Sequence, residues 1–250
     1  MVQIVLLAVL DQIVGLSAAS WLVGAAYAAG TCLMLTRGLR RSGATRLGPA
    51  DRVTLTRAIL VGGVTALTVD SFTRPAPVTV LVALTAVALA LDAVDGYVAR
   101  RTGTASALGA RFDMEVDAFL ILVLCLLVAP WAGGWVLAIG AMRYAFVVAS
   151  WLLPWMRAPL PPRYWRKVVA ATQGVVLALA VADVLPRPVM TAVLAAALAL
   201  LVESFGHDVG WLWRHRPARI VAAPAPAPAP ADAPATEAPA APRLAAHVSV

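Results

Sequence analysis

Between Asp92 and Asp117 the chain reads Asp-Ala-Val-Asp-Gly-Tyr-Val-Ala-Arg, then eight residues, then Gly-Ala-Arg-Phe-Asp-Met-Glu-Val-Asp. This stretch holds five of the thirteen acidic residues and joins two very apolar segments. Asp92 and Asp95 are three residues apart and Asp113 and Asp117 four, so on helices each pair shares one face. Gly96 and Ala99 extend the first carboxylate face, and Gly109 lies one turn before Asp113 on the second. A helix hairpin turning near residues 102–106 would bring the four carboxylates together, and the small residues would let something bulky approach the backbone. Four carboxylates at a membrane edge repel one another and are costly to desolvate. Divalent cations remove that conflict, and oxygen ligands with phosphate to hold point to magnesium or manganese rather than zinc.

Three other readings compete. Acidic helix ends are often merely solvated, but four carboxylates in register with two glycines argue against that, since ionisable groups at membrane depth default to function. A cation-coupled transporter would place such carboxylates near the bilayer midplane on broken helices. Here they adjoin an arginine-rich loop. A catalytically silent membrane scaffold is the third alternative.

The elements that must position this stretch are apolar. Hydrophobic residues make up 61% of the 250 and charged residues 13%, about half the charged share of soluble domains. The chain therefore reads as all-α, a polytopic membrane bundle. The net charge of +7 comes from arginines in the loops between apolar segments. That distribution fits the positive-inside rule and leaves no case for a nucleic-acid partner. Cys32 and Cys125 both lie in apolar runs, so no disulfide framework is expected.

Residues 1–35 are nearly all apolar. A cleaved signal peptide would have a basic start, which is missing, and the basic loop that follows resists export. One N-terminal transmembrane helix is expected at 13–35. Residues 36–57 carry six arginines and mark the cytoplasmic side. Gly48-Pro49-Ala50-Asp51 breaks the chain and offers Asp51 as an N-cap. Six further helices are expected at 52–69, 78–99, 109–129, 133–153, 168–185 and 189–205. Basic loops alternate with poor ones, which gives an outside N-terminus and a cytoplasmic C-terminus. From about Ala222 the chain alternates Ala and Pro, a composition that cannot bury a core. The expected organisation is residues 1–48 as leading helix and basic loop, 49–210 as six-helix catalytic core, and 211–250 as basic then Ala/Pro-rich tail.

The pattern Asp-x2-Asp-Gly-x2-Ala-Arg-x8-Gly-x3-Asp-x3-Asp resembles the signature of the class I CDP-alcohol phosphatidyltransferases, with every fixed position present from Asp92 to Asp117. The resemblance implies an integral membrane enzyme that moves the phosphatidyl group of CDP-diacylglycerol to an alcohol and releases CMP. It implies two divalent cations, magnesium or manganese, held by Asp92, Asp95, Asp113 and Asp117 against the CDP diphosphate, with Asp117 also the base for the acceptor hydroxyl. Gly96, Ala99 and Gly109 would admit the nucleotide, and Arg100 would neutralise phosphate. Close helix packing through small residues accounts for the same three positions equally. Pairing into a homodimer is an expectation of the resemblance alone.

Upstream, Asp51-x2-Thr54-x2-Arg57 resembles the family's Asn-x2-Thr-x2-Arg element beside the nucleotide, with Asp51 in place of Asn. An N-cap followed by a snorkelling arginine explains these residues as well. Arg143 lies mid-helix, an expensive place for an unpaired cation. It would bind an acceptor phosphate, or pair with Glu203 or a motif carboxylate. Lys167-x2-Ala170-x2-Gln173 resembles the family's Lys-x2-Thr-x2-Gln element, with Ala for Thr, and Arg166 and Lys167 suit phosphate. These cations favour glycerol 3-phosphate or inositol phosphate as acceptor. The expected location is the cell membrane, with the site facing the cytoplasm.

Overall fold

A computed structural model describes residues 1–42, 48–102, 107–161 and 163–216, with backbone alone at 42, 49–50, 95–100, 102 and 107. The described residues are helical, without a strand. The helix around which the others gather is α3, Pro49–Asp70. Pro49 suits its first position because that residue needs no N–H partner. The Gly48 N–H donates to Asp51 Oδ2 at 2.9 Å. Asp51 is therefore the third helical residue reaching back, and the cap is Gly48; the helix starts three residues earlier than the sequence suggested. Residues 61–68 are buried without interruption, as expected of a helix apolar on all sides. Thr65 and Thr68 fit that interior because their hydroxyls donate to the Val61 and Val64 carbonyls. Helices α1, α2, α4 and α5 all touch α3.

The leading region is two helices, α1 (Val2–Val14) and α2 (Ala18–Ser42), where the sequence led us to expect one over 13–35. Gly15 takes a left-handed conformation, φ 73°, and ends α1. The Ser17 hydroxyl then accepts from the Ser20 N–H at 3.2 Å and starts α2. This corner is tied to the far end of α3. Asp70, almost fully buried, accepts from the Ser17 N–H at 3.1 Å and the Ser20 hydroxyl at 3.3 Å. Arg74 donates to the Gly15 carbonyl at 2.5 Å. At 13 residues α1 is about 20 Å long, too short for a bilayer core of roughly 30 Å, so α2 is the leading helix able to span.

The remaining helices are α4 (Val78–Thr102), α5 (Ala107–Ala132), α6 (Leu137–Leu152), α7 (Tyr164–Val181) and α8 (Arg187–Arg214). Several run past their expected ends. Pro130 does not stop α5; Gly133, at φ 102°, does, while Trp135 Nε1 donates to the Ala132 carbonyl at 2.8 Å. Helix α7 begins four residues early, which puts Arg166 and Lys167 in its first turn. Helix α8 continues nine residues past Phe205 because buried Asp208 meets Arg163 and Arg166 of the opposite segment.

Among the described residues, four helical stretches are long and apolar enough to cross a membrane: 18–41, 51–70, 134–152 and 187–214. Large apolar side chains such as Leu22, Leu33, Val87, Val148 and Val202 are exposed along these and neighbouring helices, as lipid-facing surfaces require. The chain is a membrane-embedded helical bundle. Both cysteines are free.

Candidate active site

The cluster comes from two helices and meets a third. Asp92 lies inside α4, ten residues before its last residue Thr102, and Asp113 and Asp117 lie on one face of α5 in its N-terminal half. One carboxylate oxygen from each lies within 4.8 Å of the others. Arg57 of α3 stands among them, with Nη1 at 3.0 Å from Asp92 and in contact with Asp113, and with Nη2 in contact with Asp117. Its side chain is 1% exposed, whereas the three carboxylates are more than a third exposed. The guanidinium thus forms the floor of the cluster and the carboxylates its open side. Thr54, buried one turn before Arg57, and Asp51, one turn earlier, continue that line along α3.

Among the described contacts, one guanidinium faces three carboxylates. Hard oxygen donors from two helices are what a divalent cation such as magnesium binds. The residues present fit such an ion. Asp95, the fourth expected ligand, and Gly96, Ala99 and Arg100, expected at the nucleotide, lie outside the residues whose side chains are described, and residues 103–106, where a turn is expected, lie outside the described residues. Gly109 is half-buried in the first turn of α5.

Beside the cluster, a cavity of about 110 Å³ is lined by Asp117 and Arg143, with Gly140, Ala170, Gln173 and Phe205 among its walls. Gly140 lets α6 approach closely: a Cβ there would lie 2.6 Å from the Leu122 Cα of α5. Ala170 and Gln173, the last two positions of the Lys-x2-Ala-x2-Gln element, both reach this cavity. Gln173 is fully buried; its amide N–H donates to the Ala197 carbonyl at 2.9 Å, and its Oε1 has no partner.

Of the three expected acceptor residues, Arg143 alone is among the cavity's lining residues. Arg166 is engaged with the Pro161 carbonyl and lies 3.5 Å from Asp208 Oδ2. Lys167 is exposed on α7. Arg143 pairs with Glu115, Nη2 to Oε1 at 2.6 Å, whereas Glu203 accepts from Trp165 Nε1 at 3.0 Å. Sequence reasoning missed Glu115 and Asp208 as partners of these arginines. Glu115 sits between Asp113 and Asp117, so the motif absorbed it. A two-residue step on a helix turns about 200°, however, which puts it off their face.

That other face of α5 borders a second cavity, of about 270 Å³, against α2 and α6. Phe112, Glu115 and Phe119 line it from α5, Tyr27 and Thr31 from α2, and Tyr144 from α6.

The family model for CDP-alcohol phosphatidyltransferases matches residues 47–203, and the chain belongs to that family. No curated protein and no solved structure matches it. Family membership makes it a transferase of substituted phosphate groups that carries out phosphatidyl transfer from a CDP-alcohol to an alcohol. The family depends on divalent metal, which agrees with the carboxylates of Asp92, Asp113 and Asp117 gathered within metal-ligand reach. Helices α1 and α2 lie outside the matched residues.

Proposed function

We propose that the donor is CDP-diacylglycerol, that the acceptor is a small alcohol bearing a phosphate, such as glycerol 3-phosphate or inositol phosphate, and that CMP is released. The observation that carries this reading is the cavity shared by Asp117 and Arg143, which sets a carboxylate next to a cation within one small space. Asp92, Asp113 and Asp117, with Asp95, would hold two divalent cations, magnesium or manganese. When bound, these cations would supply positive charge for the diphosphate and for the departing CMP oxygen.

The remaining tasks belong to side chains. Asp117 accepts the proton of the acceptor hydroxyl as that oxygen forms its bond to the phosphorus carrying the diacylglycerol. The bond from that phosphorus to the oxygen of CMP breaks, and CMP leaves with the electron pair. Arg57 and Thr54 serve the nucleotide end, together with Gly96, Ala99, Arg100 and Gly109. The charge of Asp51 is engaged with the Gly48 N–H, so its contribution is to fix the start of α3. Arg143 meets the acceptor's phosphate, and Arg166 and Lys167 add positive potential at the mouth.

The apolar exposed faces and the alternation of basic loops support a multi-pass protein of the cell membrane with this site on the cytoplasmic side. Residues 49–210 form the catalytic core in this reading, 1–48 the leading segment and 211–250 the tail, and two copies pair as a homodimer.

The test is incubation of the purified protein with CDP-diacylglycerol, magnesium and a panel of acceptors, with the lipid product read by mass. A phosphate-bearing product with stoichiometric CMP is expected. Turnover of a phosphate-free polyol or of a lipid acceptor alone would overturn the acceptor assignment.

A further inference from the structure

Arg143 is the cation of the cavity beside Asp117, and something must hold it there. It sits in an apolar helix where an unpaired guanidinium is costly. Glu115 Oε1 takes its Nη2 at 2.6 Å. Its Nε is buried and has no hydrogen-bond partner. A buried donor left unsatisfied is costly, and an oxygen atom in the cavity would recover that cost. A guanidinium clamped at one edge and unsatisfied at another suits an oxyanion, because its donors lie in one plane and forks of this shape match phosphate.

We infer that Glu115 is a positioning residue: its carboxylate fixes the Arg143 guanidinium so that the remaining donors receive an oxyanion of the acceptor next to Asp117. The inference rests on the proposed reaction and deepens it. Glu115 is not one of the clustered carboxylates, since the group within metal-ligand reach is Asp92, Asp113 and Asp117. It occupies the opposite face of α5 and borders the cavity closed by Tyr27 and Thr31 of α2. Tyr27 stacks on Phe119 of α5 with ring centroids 5.1 Å apart. A helix outside the family-matched residues therefore packs around the carboxylate that steers the acceptor's arginine.

The experiment uses the full chain in detergent with CDP-diacylglycerol, magnesium and glycerol 3-phosphate or inositol phosphate, whichever the wild type uses. Glu115→Gln is expected to raise KM for that acceptor roughly tenfold while KM for CDP-diacylglycerol stays within about twofold. Glu115→Asp, which keeps the charge on a shorter stem, should recover part of the loss. Glu115→Gln combined with Arg143→Gln should be no worse than Arg143→Gln alone, because the two residues act as one unit.

Equal loss for both substrates, or losses that add in the double variant, would overturn the inference. Wild-type turnover of a phosphate-free acceptor, with Glu115→Gln indistinguishable from it, would do the same. If Glu115→Gln does not fold, the split between the two KM values in Glu115→Asp decides. Absence of CMP release by the wild type with every acceptor would instead remove the proposed reaction itself.

Discussion

A cation buried under three carboxylates is the residue-scale centre of this protein. Arg57 is 1% exposed and touches Asp92, Asp113 and Asp117, which come from two other helices. Removing it takes away the guanidinium that the three acids share. Because the carboxylates are more than a third exposed, water screens part of their mutual repulsion. Arg57→Ala should therefore cost about 1–3 kcal/mol, less than the fully buried case. Divalent cations would then take over the role of counter-charge. The Tm gain on adding magnesium should be larger in Arg57→Ala than in the wild type, as read by thermal unfolding with and without chelator. Equal gains would show that Arg57 and the ions do not share the carboxylates. The motif made the carboxylate cluster legible in the sequence, because helical period puts Asp113 and Asp117 on one face and Asp92 lies on the apolar helix directly before theirs in the chain. The partner of each cation was not legible. Arg57 meeting the acids, and Arg143 meeting Glu115, depend on how α3, α5 and α6 approach, and periodicity within one helix carries no such information.

At the scale of elements, two contacts set how the site is held. Gly140 lies against the backbone of Leu122, and Arg143 follows one turn later on α6. A larger side chain must push α6 away from α5. Gly140→Val should cost about 1–3 kcal/mol through overpacking and should also weaken acceptor binding, since it displaces a wall of the cavity. Loss of Tm without a change in acceptor KM would separate packing from the site. The second contact is Asp70, which accepts hydrogen bonds from the start of α2. Asp70→Ala should lower stability by about 1–2 kcal/mol, the usual worth of a helix cap, and leave turnover per folded molecule unchanged. A variant with wild-type Tm would show that this corner does not tie α2 to α3. A helix over 52–69 was legible in the sequence, but that the others gather around it was not, because contacts between helices leave no trace in the period of one of them. The break after Val14 was not legible either, because Gly15-Leu16-Ser17 interrupts no hydrophobic run and shows itself only in a left-handed φ.

For the whole molecule, composition alone placed the chain among membrane bundles, because 13% charged residues cannot cover a soluble surface of this size. The proposed orientation rests on arginines in alternate loops, and it can be measured. With Cys32 and Cys125 replaced, Asp183→Cys should react with an impermeant thiol reagent added outside cells, and Lys167→Cys only after permeabilisation. The reverse pattern would invert the topology and put the site outside. The central claim is that carboxylates of α4 and α5 use divalent cations to activate a CDP-linked lipid. Its most direct measurement is CMP release from CDP-diacylglycerol as free magnesium is titrated, for the wild type and for Asp113→Asn. The wild type should respond to magnesium with saturation and lose activity reversibly to chelator, while Asp113→Asn should fall by about a thousandfold or more at every concentration. Magnesium-independent CMP release, or an Asp113→Asn variant with wild-type turnover, would contradict it.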